Sequence, residues 1–363
     1  MTEFNVSPSR RLALVAAVAA SAALLSPAHA QDKIRIGISQ AISGPNGDYF
    51  RKQVVNPAIL AIEEFNAKGG IRGKQIEYFV EDNKANAATG AAVARKLISV
   101  DKVRMIFVSV TPATLATIPI AEESKVMVIT VAEHPDITKS KWAARSTTTA
   151  VQYGLAQARF AAETLKARTA AVIREDNDAV RLQIDAFQKE FERLGGKVVL
   201  IETYKTNDLD FRAQVTKAKA SNPDLLNISS TGHKPQALVL KQAGELGFKP
   251  KFILAREQVL HPEVREIAGD LVKGVYYTSL PIDAEWNEKV FKVRFGYPAD
   301  PFGAKSYDGV RIYLMALERA GSDDPEKVRD TLYAFKNYKG ALGTWGFTGT
   351  GEPELFPTIK QVE

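Results

Sequence analysis

The sequence contains no cysteine at any of its 363 positions. This absence excludes disulfide bonds, thiolate catalysis, zinc sites built on cysteine and a lipid-modified N-terminal cysteine. Histidine is also scarce, with four in the whole chain. The three that lie beyond residue 30 show no metal-ligand spacing: His134, His233 and His261. The sequence therefore predicts no metal site and no cofactor.

Sequence signatures of common enzymes are missing too. The chain has no G-x-S-x-G nucleophile elbow, no phosphate-binding G-x-x-x-x-G-K-[ST] loop and no G-x-G-x-x-G dinucleotide motif. The net charge is +6, but Lys and Arg are spread along the chain without a dense basic block. We therefore expect no catalytic residues and no binding to nucleic acid.

Long apolar runs are absent after the first 30 residues, so no membrane span is expected there. Within those 30 residues, SPSRRLALVAAVAASAALLSPAHA joins an arginine pair to about 14 mainly apolar residues and ends in Ala-His-Ala. This pattern predicts a secretory signal peptide that is cleaved after Ala30. The run Ser9-Arg10-Arg11 leaves a twin-arginine export route open beside the general one.

Beyond residue 30 the chain alternates strand and helix patterns. The candidate strands are 33–38, 76–80, 104–110, 126–130, 170–174, 197–201, 224–229, 251–255 and 274–278. Helical patterns lie mostly between them, at 57–67, 86–99, 113–124, 150–167, 178–194, 210–221, 234–247, 284–295, 303–320 and 325–335. Such alternation predicts an α/β protein with parallel sheets covered by helices on both faces.

Nine strands exceed one mononucleotide-type unit, so the sequence predicts two Rossmann-like lobes joined by a hinge of several strands. We expect residues 1–30 to be the signal peptide, 31–148 plus 280–335 the first lobe, and 149–279 plus 336–363 the second. The hinge strands are expected near 141–148, 279–282 and 336–345.

A site in such a protein is expected beyond the carboxyl ends of the strands. The residues that follow the candidate strands include Tyr49, Thr111 to Thr114, Glu133, Asp176 to Asp178, Gly232 and His233, and Arg256 with Glu257. Hydroxyls and N–H groups at a helix start can hold an anion, and a carboxylate can hold an ammonium group. This set favours a small zwitterion or carboxylate. Each position also has a structural interpretation, as a helix cap, a solvated turn or a core aromatic.

Arg256 and Glu257 decide the ligand class between them. Successive residues of an extended segment point to opposite sides, so we expect only one of the two to face the cleft. Glu257 in the cleft would hold the ammonium of an amino acid, whereas Arg256 would favour an anion without an amine.

The segment SGPNGDY (43–49) followed by AIEEFNAKGGIRGKQIEYFVEDN (61–83) resembles the first βαβ unit of the periplasmic leucine/isoleucine/valine-binding protein family. IAEESKVMVIT (120–130), Tyr307-Asp308 and GSDDPEKVRDTL (321–332) fit the same family, so the resemblance covers essentially all of the chain after the leader. It implies a type I periplasmic binding protein, the solute-binding component of an ABC importer. The implied partners are a small-molecule ligand and an inner-membrane permease, and a monomer is expected.

By position, the resemblance implies ligand contacts at Tyr49, Thr111, Ala113, Thr114, Ala132, Glu133, Asp178, Gly232, Glu257 and Phe302. The chain departs from the family at several of them. Val110-Thr111 stands where a serine pair is common, while Ala179-Val180 and Gly232 stand where aromatic residues are common. The family's early disulfide is missing. The resemblance therefore implies either a small amino acid of the branched-chain or hydrophobic type, or a small aromatic or aliphatic carboxylate.

Three rival functions remain at this point. A periplasmic sensor could present the same ligand to a signalling partner. A DNA-binding regulator uses similar lobes, but it would carry a helix-turn-helix where this chain carries its leader. A hydrolase would need a nucleophile and base, and no such arrangement is visible.

Overall fold

A computed structural model describes residues 33–44, 46–206 and 208–363. The predicted signal peptide and its cleavage site lie outside these residues. The strands are β1 (Ile34–Gln40), β2 (Ile76–Asp82), β3 (Met105–Val108), β4 (Met127–Thr130), β5 (Ala143–Arg145), β6 (Thr169–Glu175), β7 (Lys197–Tyr204), β8 (Leu225–Ser229), β9 (Lys251–Leu254), β10 (Tyr276–Ser279), β11 (Tyr338–Gly340), β12 (Gly343–Trp345) and β13 (Thr358–Gln361).

The longer helices are α1 (Asn56–Ala67), α2 (Ala87–Ser99), α3 (Thr111–Glu123), α4 (Ala150–Arg159), α5 (Asp178–Arg193), α6 (Arg212–Ala220), α7 (His233–Glu245), α8 (Pro262–Ala268), α9 (Pro301–Ala320) and α10 (Pro325–Tyr333). Shorter helical turns lie at Gly47–Phe50, Arg51–Val55, Pro135–Lys139, Phe160–Thr164, Glu257–Leu260, Gly269–Val272, Ala284–Trp286, Asn287–Phe291 and Lys292–Phe295. None of the helices in the described ranges has the length and apolar composition that crossing a bilayer requires.

In the described residues, two large and mainly parallel sheets form beside the antiparallel β11–β12 hairpin, which confirms the predicted α/β class. The first lobe has the order β2-β1-β3-β4-β5, with every neighbour parallel. The second lobe has the order β13-β10-β9-β8-β6-β7, in which only β13 is antiparallel. Buried apolar clusters lie on both faces of each sheet, as expected where helices cover parallel strands.

The turn between α1 and β2 shows why glycine is needed in the segment that carries the resemblance. Gly70 has φ +79°, and a Cβ there would lie 2.1 Å from the carbonyl oxygen of Lys74. The chain then turns tightly enough for Ile71 N–H to donate to Lys74 O at 3.0 Å. Ile71 is buried in the first lobe's core, so the short return from helix to strand also fills a core position.

The C-terminal segment differs from the predicted division between lobes. Residues 338–355, including the β11–β12 hairpin, pack on the core of the first lobe, and only β13 joins the second sheet. The third crossing between lobes therefore lies at 356–357 rather than near 336–345. The other two crossings lie at 146–149 and 280–283, inside the expected ranges or at their edges.

One buried carboxylate explains this difference. Asp308 in α9 accepts hydrogen bonds from Tyr338 Oη (2.8 Å), Ala341 N (2.7 Å), Leu342 N (2.9 Å) and Trp345 Nε1 (3.0 Å). These four donors tie the hairpin to a helix of the first lobe. The neighbouring Tyr307 donates to Glu64 on α1 at 2.7 Å. The Tyr-Asp pair of the resemblance thus has a structural role in this chain.

Candidate functional site

Buried charged side chains meet where the carboxyl ends of the two sheets face each other. Glu133 follows β4 in the first lobe, and Lys305 lies near the start of α9. Arg256 and Glu257 follow β9 in the second lobe. Lys305, Glu257 and Arg256 are 0%, 5% and 7% exposed. Charges buried this deeply need a partner of opposite charge, either in the protein or in a ligand, because burying an unpaired charge costs several kcal/mol.

Arg256 joins the two lobes. Its Nη2 donates to Glu133 Oε2 across the cleft, and its Nη1 donates to Gln183 Oε1 at 2.5 Å. Its guanidinium carbon lies 3.6 Å from the centre of the Tyr153 ring, a close cation–π contact. Burial alone would lower the pKa of Arg256, but Glu133 and Tyr153 more than offset it and raise that pKa.

A buried polar network fixes the position of Arg256. Gln183 Nε2 donates to Gln157 Oε1 at 2.9 Å, and Gln157 Nε2 donates to Leu254 O at 3.1 Å and Thr278 Oγ1 at 2.9 Å. The guanidinium is thereby linked to β9 and β10 through side chains with little freedom. Arg256 is a fixed feature of the cleft.

Lys305 is the second buried cation. Its Nζ donates to Tyr153 Oη at 3.2 Å and lies 4.6 Å from the centre of the Phe302 ring. Glu133 Oε1 and Glu257 Oε1 are each 3.8 Å away, which is ion-pair distance but too long for a hydrogen bond. Burial opposes the charge of Lys305, whereas Tyr153, Glu257 and Glu133 raise its pKa above the ordinary value. Lys305 thus keeps donor capacity that the surrounding side chains do not use.

Glu257 has the least satisfied carboxylate of this cluster. In the described ranges, no donor forms a hydrogen bond to either of its buried oxygens. Its closest charged neighbour is Lys305, at 3.8 Å. A buried acceptor without a donor is costly, so the arrangement suits a ligand that brings N–H groups.

The expectation that only one of Arg256 and Glu257 faces the cleft is wrong. Arg256 has extended backbone (φ −151°, ψ 179°), but Glu257 begins a 3₁₀ turn at Glu257–Leu260. Strand alternation ends at that turn, so both side chains reach groups of the first lobe, Glu133 and Lys305 respectively. The cleft therefore holds both signs of charge.

Aromatic side chains border the charged cluster on the first lobe. Tyr49 Oη donates to Asp300 Oδ2 at 2.7 Å, and its ring meets Phe302 edge-on at 6.3 Å between centres. Asp300 is the N-cap of α9 and accepts from Gly303 N at 3.0 Å. Burial raises the pKa of Asp300 to about 6, and the charge of Glu257 adds to that rise. This wall pairs apolar ring surface with a carboxyl group whose pKa is raised by burial.

The start of α3 lies beside the end of β4. Thr114 Oγ1 lies 3.4 Å from Thr130 Oγ1 and donates to Val110 O at 2.8 Å. Ala113 is fully buried in the lobe core, so its side chain is not available to a ligand. Among the described residues, no side chain caps this helix start, whose first residue is Thr111. The feature is suited to an anion, as the sequence suggested.

The remaining predicted contacts either form local hydrogen bonds through their backbone N–H groups or are exposed to solvent. Ala132 is buried, and its N–H donates to Thr130 Oγ1 at 2.9 Å. Gly232 N donates to Ser230 Oγ at 3.0 Å. The Asp178 side chain is 77% exposed and pairs with Arg181 at 2.7 Å. All ten assigned ligand contacts stay predictions, but the structure directly links only Tyr49, Glu133, Glu257 and Phe302 to the cluster.

Sequence reasoning missed three members of the cluster: Tyr153, Asp300 and Lys305. A lysine on the buried, small-residue face of α9, in PFGAKSYDG, was the available signal for Lys305. Asp300 stands directly before Pro301 at a helix start, so its local sequence indicates only a helix cap. Tyr153 follows a crossing between lobes, and nothing in the local pattern indicates that its ring meets two cations.

Comparisons with known proteins add to this geometry. A family model described as periplasmic binding protein matches residues 33–353. The chain is similar to a leucine-, isoleucine-, valine-, threonine- and alanine-binding protein of Pseudomonas aeruginosa, with 29% identity over 358 residues, 96% of this chain and 94% of that one. A solved leucine-binding protein of Thermotoga maritima is similar with a TM-score of 0.79 and 27% identity, covering 91% of this chain and 95% of that one.

A further solved structure shares the fold. It is a solute-binding protein of an ABC transporter from Rhodopseudomonas palustris, in complex with 3,4-dihydroxy benzoic acid. The TM-score is 0.80 at 23% identity, and the match covers 91% of this chain and 93% of that one. At this identity the likeness concerns the fold alone.

Proposed function

Since the chain belongs to the periplasmic leucine/isoleucine/valine-binding protein family, we propose that its ligand is a small hydrophobic amino acid. Members of this family are solute-binding proteins of the ABC-transporter type, and the chain is therefore not an enzyme. The branched-chain type is the first candidate. The ligand is held between the two lobes and delivered to an inner-membrane permease. In this proposal the leader is cleaved after Ala30, and the mature chain acts in the periplasm as a monomer.

The observation that carries the proposal is the Glu257 carboxylate, buried with no hydrogen-bond donor on either oxygen in the described part of the chain. An ammonium group supplies up to three N–H donors and a compensating charge. The uncapped start of α3, with Thr111 as its first residue, supports a place for the ligand carboxylate. The rings of Tyr49 and Phe302 provide apolar surface for a side chain.

Charge balance supports a zwitterion over an anion. The cluster holds two cations, Arg256 and Lys305, and two carboxylates, Glu133 and Glu257. These four charges sum to zero, and the neighbouring Asp300 adds negative charge when it is ionised, so a zwitterionic amino acid adds no net charge to the cleft. A simple carboxylate would leave one uncompensated negative charge in a buried site.

A small aromatic or aliphatic carboxylate is the second candidate, and Lys305 is the observation that favours it. Its ammonium has unused donor capacity beside the Phe302 ring, where a carboxylate on an apolar body would fit. In that case the carboxylate would compete with Glu133 for the two cations. A signalling role remains an alternative to transport. Neighbouring genes for a permease and an ATPase would indicate transport, whereas a neighbouring kinase gene would indicate signalling.

A thermal-shift screen of the mature chain against amino acids and aromatic acids identifies the ligand. At 100 times the dissociation constant a true ligand adds about 2.7 kcal/mol of stability. The proposal expects branched-chain or other hydrophobic amino acids among the hits. Hits confined to acids that lack an amine would overturn it in favour of the second candidate.

A pair of variants then assigns the charges. Glu257→Gln should weaken amino-acid binding by about 2 kcal/mol or more, because the ammonium loses its counter-ion. Glu202→Gln is the matched control, since Glu202 pairs with Lys217 on the outside of the same lobe. Unchanged affinity in Glu257→Gln together with loss in Arg256→Gln would point to a simple carboxylate.

A further inference from the structure

A second polar cluster lies in the second lobe, apart from the charged cluster of the cleft. His233 Nε2 and Glu263 Oε2 are 2.7 Å apart, and the His233 and His261 rings stack with centres 3.8 Å apart. One ligand atom from each of the three residues lies within 4.8 Å of the others, and all three residues are half-buried. Their separation of 28 and 30 positions along the chain hid this convergence, and the sequence predicted no metal site.

The chain contains a second segment in which histidine, proline and an acidic residue follow one another, but no second histidine of the described residues stacks on it. His261-Pro262-Glu263 and His134-Pro135-Asp136 both place a histidine at the N-cap of a short helix, with proline next. In both, histidine Nδ1 accepts from the backbone N–H two residues later, at 3.3 Å and 3.2 Å. Helix capping therefore accounts for the motif but not for the stacked His233.

The chemistry of the cluster suits a divalent transition metal. Neutral imidazole and carboxylate are common zinc ligands, and two histidines with one glutamate leave a coordination position open for water. Burial and the neighbouring His233 lower the pKa of His261 and so disfavour the charged form of its ring. The carboxylate of Glu263 offsets part of the charge that an ion would bring.

We propose that His233, His261 and Glu263 bind one divalent transition metal ion of the Zn²⁺ class. In this arrangement the ion replaces the proton between His233 Nε2 and Glu263 Oε2. His261 turns to offer Nε2 to the ion, its proton moves from Nε2 to Nδ1, and Nδ1 gives up the long capping bond that it accepts from Glu263 N. His233 directly follows Gly232, and His261 lies four residues after Glu257. The ion therefore ties together the loops after β8 and β9, which carry predicted ligand contacts.

The test is calorimetric titration of the chelator-stripped mature chain with Zn²⁺, without any organic ligand. The expected result is saturable binding of one ion per chain. His233→Gln and Glu263→Gln should each weaken it by at least about tenfold, as should His261→Asn, because each removes one ligand. Asn is a favoured N-cap, so His261→Asn keeps the capping acceptor.

His134→Asn is the matched control, because it makes the same change at the same kind of cap without a second histidine. It should leave Zn²⁺ affinity unchanged. Co²⁺ provides an independent readout through its visible absorption spectrum. The unaltered chain should give the spectrum of a Co²⁺ ion with a low coordination number, and His233→Gln should lose that spectrum. Absence of saturable Zn²⁺ uptake, or equal affinity in the control and in all three cluster variants, would overturn the proposal.

Discussion

Asp300 shows how one cleft residue makes stability depend on pH. Burial raises the pKa of this carboxyl group to about 6, from an ordinary value of 3.8. A raised native pKa means that the folded state holds the proton more tightly. The stability that Asp300 contributes is therefore present in full below the unfolded pKa and is lost as the pH rises through about 6.

Asp300→Asn should remove this pH dependence while keeping the helix cap, since Asn also caps well. On going from ~pH 7 to ~pH 4, the unaltered chain should gain about 2 kcal/mol relative to the variant. Urea unfolding of both chains across this range measures the difference. The pKa of Asp308 is also raised to about 6, but this residue is present in both chains, so its contribution to the difference in stability cancels. A constant difference, or one of opposite sign, contradicts the assignment.

The aromatic wall gives a second test at the residue scale. Truncating Tyr49 or Phe302 to alanine should weaken ligand binding by about 1–3 kcal/mol, because each removes apolar contact surface. Calorimetry with the ligand found by the screen measures this. Tyr78 is the matched control, since it is an exposed aromatic residue of the same lobe at 39% exposure. Unchanged affinity in both wall variants removes these rings from the site.

Local rules predicted part of the site, and long-range contacts decided the rest. Glu133 and Glu257 follow strands, so the position of strand ends indicated them. The meeting of Arg256, Tyr153 and Lys305 depends on how two lobes and a returning helix dock, which no local pattern encodes. The turn at Glu257 also ended the alternation on which the choice between Arg256 and Glu257 rested.

At the scale of elements, α9 organises the first lobe through Asp308. Four donors converge on this carboxylate from the β11–β12 hairpin and the turn within it. The fit is close, because a Cβ on Gly340 would lie 2.1 Å from Asp308 Oδ1. The carboxylate thus adds four hydrogen bonds to the apolar packing that holds the hairpin on the first lobe.

Asp308→Asn should destabilise the chain by about 2–4 kcal/mol, because an amide NH₂ would face groups that are themselves donors. Urea unfolding followed by tryptophan fluorescence measures the loss. Asp330→Asn on α10 is the control, since Asp330 is 67% exposed and paired with Arg329, where exposed pairs contribute about 0–1 kcal/mol. Equal stability of the two variants would show that the hairpin is held by other contacts.

The main strands and helices could be predicted because the spacing of apolar residues in the sequence follows the period of each element. All nine predicted strands occur within three residues of their expected ends. The strands outside those nine candidates are three or four residues long: β5, β11, β12 and β13. Of these, β5, β11 and β12 fall in ranges where hinge strands were expected. β5 lies inside a polar stretch, and the C-terminal strands are ordered by Asp308 and by pairing with β10, so their local sequence carries little signal.

At the scale of the whole molecule, ion pairs and hydrogen bonds connect the lobes across the cleft. Arg256 with Glu133, and Glu257 with Lys305, join groups of opposite lobes, and Tyr153 of the second lobe contacts Lys305 of the first. These contacts describe a closed arrangement. Closure in such folds is a rigid-body motion about the crossing segments.

Small-angle scattering should therefore show a smaller radius of gyration when the ligand is added, approaching the value calculated from this structure. Glu133→Gln should give a larger radius in the free chain, because Arg256 loses its partner on the other lobe. The outer-surface variant Glu202→Gln should leave the radius unchanged. A radius that stays constant on saturation with a verified ligand argues against closure between lobes.

The central claim is that the cleft selects an ammonium group through Glu257. Calorimetric titration with leucine and with the same carbon skeleton lacking its amine, 4-methylpentanoate, tests this claim most directly. If another amino acid leads the screen, that amino acid and its own deaminated analogue take their place. The account predicts binding of the amino acid and a loss of at least about 30-fold for the analogue, equivalent to about 2 kcal/mol. Equal or tighter binding of the analogue would contradict the claim and assign the site to carboxylates held by Arg256 and Lys305.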